Sequence, residues 1–162
     1  MTRALAVCVM LLAGACAGSL GPGAHAPVLE LTLARTDGSR FELSSLRGKP
    51  VLLFLFATYD EASQFDLVPL TRIAESEPDL TIVGVALQPE ADKFLRLFKR
   101  SLPVPFELFY DPDNALLGGS SALGQLPGIP AVIAIDEEGR VRDSLFGATN
   151  VETLHALAKS AR

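Results

Sequence analysis

VLLFLFATYDEASQ, residues 51–64, runs six consecutive apolar residues into a polar segment. An apolar run without alternation, bounded by Pro50 on one side and Ala57-Thr58 on the other, suits a strand buried on both faces. The residues that follow read as a helix from about Asp60 to Ser76. Phe65, Val68, Leu70 and Ile73 supply its apolar stripe, and Pro69 falls inside it as a kink. Asp60 is a favoured N-cap residue, and Thr58 with Glu61 three positions on also fits a capping box. A central strand feeding a capped helix start is thus the unit around which the rest of the chain is read.

Upstream, Leu29, Leu31 and Leu33 alternate with polar or small residues, Asp37-Gly38 makes a turn, and Phe41 and Leu43 resume the alternation, which predicts a β-hairpin. Residues 44–50 read as a helical turn and loop. Downstream, 80–87 is a second buried strand and 90–102 an amphipathic helix with Phe94, Leu95, Leu97 and Phe98 on one side. Phe106 to Phe109 is a short extended piece. Asp111 to Asn114 is a turn, and 116–123 a short helix weakened by Gly118 and Gly119. Ala131 to Ile135, after Gly128-Ile129-Pro130, is a third apolar strand, and the turn 136–139 returns the chain through 141–146. Asn150 caps a last helix over 151–160. Strands separated by helices pair in parallel and hairpins pair antiparallel, so the order predicts an α/β domain with a central mixed sheet.

The N-terminus is a separate unit. Arg3 precedes an apolar run over 4–13, then Gly14-Ala15-Cys16. A charged start, a short apolar core and small residues at the exit predict a signal peptide over 1–15, too short to span a bilayer. The pattern resembles a bacterial lipoprotein signal, in which Cys16 would carry lipid; ordinary cleavage nearby is the other reading. Residues 16–25 are rich in Gly, Ala and Pro and read as a flexible tether, with His25 as a solvated residue. The domain is expected over 26–162. Net charge is −5, from 19 acidic and 14 basic residues. Lys and Arg read as spread along the chain, which argues against a nucleic-acid partner. The chain's 2 cysteines are Cys8 and Cys16, so the domain itself contains no thiol.

Three stretches carry a family resemblance. APVLELTLARTDGSRFELSSLRGKPVLLFLFAT (26–58) is similar to an entry segment with an Ala-Pro start, an Asp-Gly hairpin and Leu-x-Gly-Lys before the central strand. LPGIPAVIAIDEEGRV (126–141) is similar to a Gly-x-Pro-Thr-x-x-x-Ile-Asp-x-x-Gly stretch, and DPDN (111–114) matches a turn before a short helix. Together they resemble the thioredoxin-like superfamily, in its redoxin branch of TlpA/ResA-type and AhpC/TSA-related proteins. The resemblance implies a three-layer fold, a central mixed sheet flanked by helices with an N-terminal hairpin extension, and a cis-proline at Pro130. It also places the family's Cys-x-x-Cys pair at Asp60 and Ser63. Sliding the register by one would give Glu61 and Gln64; neither register supplies a sulfur. Ala131 stands where the family usually has threonine, and Pro69 falls one place later than the family's kink proline.

Thiol–disulfide exchange needs a thiolate and a resolving sulfur, and peroxide reduction needs a thiolate that becomes a sulfenic acid. Neither Asp60 nor Ser63 can serve. The family's activity, thiol–disulfide oxidoreductase or peroxidase, is therefore the alternative reading. The favoured expectation is a non-catalytic protein- or peptide-binding module of the bacterial cell envelope or periplasm, joined to the membrane through lipid on Cys16. Its groove would be built from Tyr59, Asp60, Ser63, Ile129 and Pro130. A plain helix cap at Asp60, or a structural envelope role in which the groove is idle, are the blander readings. No catalytic residue, no metal site and no cofactor is expected: the domain has one histidine, His155, and no phosphate-binding glycine loop.

Overall fold

The structure, a computed structural model, describes residues 26–162. The expected signal peptide (1–15) and tether (16–25), with Cys16 and His25, lie outside the described residues.

The elements follow in order β1 (Thr32–Ala34), β2 (Arg40–Glu42), a 3-10 turn (Leu43–Leu46), β3 (Val51–Phe56), α1 (Glu61–Ser76), β4 (Thr81–Ala86), α2 (Ala91–Ser101), β5 (Glu107–Tyr110), β6 (Ala131–Ile135), β7 (Val141–Phe146) and α3 (Val151–Ser160). The seven strands form one sheet in the order β2-β1-β5-β4-β3-β6-β7. β3, β4 and β5 run parallel across their helical crossovers, whereas β6 is antiparallel to β3, and β7 to β6. The extended piece near Phe106 is a full strand, β5, which joins the inner sheet to the hairpin through Ala34 opposite Tyr110.

β3 sits at the centre because both of its faces are apolar, and every one of its residues is buried. Its alternation divides the core in two. Leu52, Phe54 and Phe56 pack with Leu70 of α1, Leu95 of α2 and Leu154 of α3. Val51, Leu53 and Leu55 pack with Leu31, Leu43, Phe109 and Leu116. The three helices thus share one face. The third layer is built from the segment leading into β1 with Leu29 and Leu31, the 3-10 turn and the irregular segment that carries Leu116, Leu123 and Leu126.

Two local expectations are corrected. No helix forms over 116–123: the chain makes successive turns, with Asn114 and Gly119 at φ 53° and 70°, conformations that a right-handed helix cannot pass through. The Asp111 carboxylate accepts from the Leu116 N–H at 2.8 Å in place of helical bonding. Nor does Thr58 open a capping box. Asp60 alone is the N-cap of α1, and the Thr58 N–H is donated to Gln88 Oε1 at 2.6 Å.

The register defines two poles. Thr58 to Asp60 follow the C-terminal end of β3, and Ile129-Pro130 immediately precede β6, where Leu55 lies opposite Ala131. The described chain begins at the other pole. The Ala26 carbonyl accepts from Arg140, Val28 bridges to Arg140, and the neighbouring Ile135 lies opposite Val51 at the start of β3.

Candidate functional site

α1 starts where β3 stops, so its first-turn N–H groups and the positive end of its dipole are presented at the edge of the sheet. Asp60 fills that position. One of its carboxylate oxygens accepts from the Ser63 N–H at 2.7 Å and from the Ser63 hydroxyl at 2.6 Å. The Ser63 oxygen in turn accepts from the Ala57 N–H at 3.3 Å. The carboxylate and hydroxyl thus satisfy backbone donors that would otherwise be orphaned at the strand–helix junction. The Gln64 side-chain amide donates to the Thr58 carbonyl at 2.8 Å and closes the loop from outside.

The five groove candidates do not share one environment. Tyr59 is 73% exposed and Asp60 half-buried, so both can touch a partner. Ser63 is buried, and its hydroxyl is committed to Asp60 and Ala57, so it supports the surface from beneath. Ile129 is half-buried and Pro130 buried, and the peptide bond between them is cis. Adjacent strand ends bring the 57–60 and 129–130 segments to the same pole.

Three features escaped the sequence reading. Phe146 lies opposite Ala131 at the end of β7 and is 45% exposed, so it adds an aromatic ring to the same pole. The signal available was an aromatic residue at the last position of the expected strand 141–146. The Gly147 N–H, from a glycine at φ 87°, donates to the Pro130 carbonyl at 2.8 Å. Two residues on, the Thr149 N–H donates to Asp66 Oδ1 at 2.8 Å. Asp66 is therefore a buried carboxylate that ties α1 to the loop behind Pro130, and no helical stripe pattern reveals that.

Asp66 is fully buried, and its Oδ2 has no hydrogen-bond partner among the described residues; neither have Thr149 Oγ1 and Gln88 Nε2. Burial pushes the Asp66 carboxyl up to about 6, and the nearby Asp60 charge adds to the rise against the lowering effect of the Thr149 hydrogen bond. The pole thus carries Asp60 and Glu61 above a buried carboxyl that keeps its proton up to about pH 6.

A cavity of about 350 Å³ exists, but it lies at the starts of β4 and β5, near Pro78, Thr81, Phe106 and Glu107, remote from Asp60 and Pro130. No three His, Cys, Asp or Glu side chains converge on a metal position among the described residues.

The sequence matches the AhpC/TSA family over residues 22–144. The chain belongs to that family. No curated protein matches it. Among solved structures it is similar to DsbF of Mycobacterium tuberculosis, captured in mixed oxidised and reduced forms, with 26% identity and a TM-score of 0.68 over 82% of this chain and 95% of that one. It is also similar to a secreted M. tuberculosis disulfide oxidoreductase homologous to Escherichia coli DsbE, with 20% identity, a TM-score of 0.67 and 80% and 95% coverage. A third is a thiol-disulfide isomerase from Corynebacterium glutamicum, with 21% identity, a TM-score of 0.67 and 85% and 96% coverage. The last two likenesses bear on the fold. This AhpC/TSA-family chain therefore has a thioredoxin-like fold whose solved neighbours include disulfide oxidoreductases, while its own 26–162 segment holds no cysteine.

Proposed function

We propose that this protein is an exported, lipid-anchored redoxin-fold module of the cell envelope that binds an extended segment of a partner protein without redox turnover. The observation that carries the reading is the Asp60–Ser63 pair: the two positions that the family resemblance assigns to cysteines are hydrogen-bonded to each other as a helix cap. A carboxylate and a buried hydroxyl cannot form or pass on a disulfide.

What remains at the pole is a binding surface. Tyr59 and Phe146 are exposed aromatic rings, Ile129 is half-buried between strand ends, and Glu61 and Asp60 add negative charge. Rigid aromatic side chains beside charged ones are the composition of recognition surfaces. An extended chain can span Tyr59, Ile129 and Phe146, which sit on neighbouring strand ends. Export is supported by the signal-like N-terminus and by a neighbour described as secreted. The entry of the chain at the opposite pole supports anchoring, because a lipid on Cys16 would then leave the Tyr59 pole facing away from the bilayer.

The test has two arms on the full chain. With dithiothreitol as reductant, insulin reduction and peroxide consumption should not exceed a protein-free blank; turnover that survives purification would overturn the non-catalytic reading. A photo-crosslinking residue at Tyr59, introduced in cells, should capture a discrete partner that is lost in Asp60→Arg/Glu61→Arg. Capture unchanged by that charge reversal would leave the groove idle.

A further inference from the structure

We propose that the outer flank of α2 is a docking face for an anionic lipid surface. The segment KFLRLFKR, residues 93–100, gathers Lys93, Arg96, Lys99 and Arg100 in a chain whose net charge is −5. The even spread of basic residues read from the sequence fails at this helix, and its helical period gives the departure a direction. Ala91, Leu95 and Phe98 turn into the core, which leaves Phe94 50% and Leu97 65% exposed. Leu97 lies four residues after Lys93 and three before Arg100, so the three are surface neighbours, with Phe94 one turn back from Leu97.

The ion pairs consume only half of this charge. Lys93 meets Glu90 at 3.1 Å and Arg96 meets Asp92 at 3.2 Å, both at the N-terminal end of the helix. Lys99 and Arg100 are exposed and form no salt bridge among the described residues. Cations in the last turn complement the helix dipole, which gives them a structural use. That use does not explain why Phe94 and Leu97, on the flank that Lys93 and Arg100 share, stay in water.

A bilayer surface accounts for both features. Anionic headgroups attract Lys and Arg, and the boundary with the acyl chains takes up exposed Phe and Leu side chains. A nucleic acid would satisfy the cations and leave Phe94 and Leu97 without a partner. The chain is acidic overall, so an attraction centred on this flank orients the domain. Ten residues separate Cys16 from Ala26 and reach at most about 35 Å when extended, enough to let a tethered domain roll onto α2. The inference does not require the lipid or the Tyr59 groove.

The chain contains no tryptophan, so one can be placed as a sole reporter. The full chain carrying Leu97→Trp, and separately Phe94→Trp in case the first fails to fold, is mixed with vesicles of phosphatidylglycerol and phosphatidylcholine. The expected result is a blue-shifted emission quenched by brominated acyl chains. It should be absent with pure phosphatidylcholine, abolished at about 0.5 M salt, and weakened by about tenfold in Lys99→Glu/Arg100→Glu. An unshifted reporter on anionic vesicles would overturn the proposal. So would an equal response in the charge-reversed chain, which would assign binding to the N-terminal segment, or an equal shift with heparin or an acidic peptide in the absence of lipid.

Discussion

Asp60 and Ser63 close a ring at the first turn of α1, in which a single carboxylate oxygen holds both the N–H and the hydroxyl of Ser63 within 2.7 Å. The spacing of three residues is what an N-cap and its third helical residue require. It is also the spacing at which a thioredoxin-like site places two sulfurs. The same backbone therefore serves either use, and the side chains decide between them. Asp60→Ala should cost about 1 kcal/mol, the usual loss for a helix N-cap, while Asp60→Asn should recover most of it. Urea denaturation of the two variants checks this, and equal stability of Asp60→Ala and the parent would mean that the ring contributes nothing.

If side chains alone separate this protein from its redox relatives, two substitutions should bridge the gap. Asp60→Cys/Ser63→Cys places a thiol at the N-terminus of α1, where the dipole lowers its pKa, with a second sulfur one turn on. The double variant should form an internal disulfide by mass spectrometry and reduce insulin with dithiothreitol, while the parent stays at the blank. Loss of the cap should cost it about 1 kcal/mol in the reduced form. Failure to form the disulfide would show that the loop held by Gln64 and Gln88 has drifted from redox geometry.

Asp66 gives the stability of the protein a direction in pH. Its carboxyl titrates at about 6 in the fold against an ordinary 3.8, chiefly because it is buried. The folded state therefore holds the proton over a range where the unfolded chain has released it. Stability from this group should be highest at or below about pH 4 and decline as pH rises through 6, by on the order of 2–3 kcal/mol. Asp66→Asn retains an acceptor for the Thr149 N–H and removes the charge. It should be more stable than the parent at pH 8 and lose that advantage near pH 4, as read from melting temperatures across the range. A variant less stable than the parent at pH 8 would contradict the assignment.

The outline of this fold was legible because its central strand is unambiguous. Six apolar residues at 51–56 demand burial on both faces, and the caps Asp60 and Asn150 mark helix starts where the structure has them. The segment 111–129 was harder. Its helical pattern is weak, and Asn114, a residue type that tolerates the left-handed region, interrupts it at φ 53°. The site divides in the same way. Asp60 is defined by local capping chemistry and could be read from the chain, whereas the cis bond at Pro130 came from the family resemblance. The Asp66–Thr149 bond joins residues 83 apart, and the exposure of Phe146 depends on which strand ends beside it. The amphipathic pattern of α2 was visible as KFLRLFKR, but only burial separates Leu95 and Phe98, which are used up in the core, from Phe94 and Leu97, which are not.

Gly84 lies at the middle of β4, where a Cβ would overlap the Leu108 side chain on β5. Leu108 is 1% exposed, and Phe56 and Phe106 also border the position, so it has little room to yield. Gly84→Ala should destabilise the domain by about 1–3 kcal/mol through overpacking. Gly84→Ala/Leu108→Ala should recover part of that loss, because the second change vacates the space the first one fills. Strictly additive losses in thermal unfolding would show that the two positions do not share it.

At the far end of the helical layer, Glu77 accepts from His155 Nδ1 at 2.7 Å and from the Arg162 guanidinium. Burial alone would raise the Glu77 carboxyl, but the hydrogen bonds and charges of His155 and Arg162 outweigh it and hold the carboxyl below its ordinary 4.5. The carboxylate form is thus favoured in the fold, and its contribution is present above the unfolded pKa and lost as pH falls through the folded one. This is the opposite sign to Asp66, so acid should loosen the α1–α3 junction at Glu77 while relieving the buried charge near Pro130. Arg162→Ala should cost about 1–2 kcal/mol at pH 7, the scale of a charge-assisted hydrogen bond, and much less in acid, once the pH has fallen through the folded pKa of Glu77. Hydrogen exchange at the C-terminal turns of α1 and α3 locates the effect. A loss of the same size at pH 7 and in acid would assign Arg162 a packing role in place of an electrostatic one.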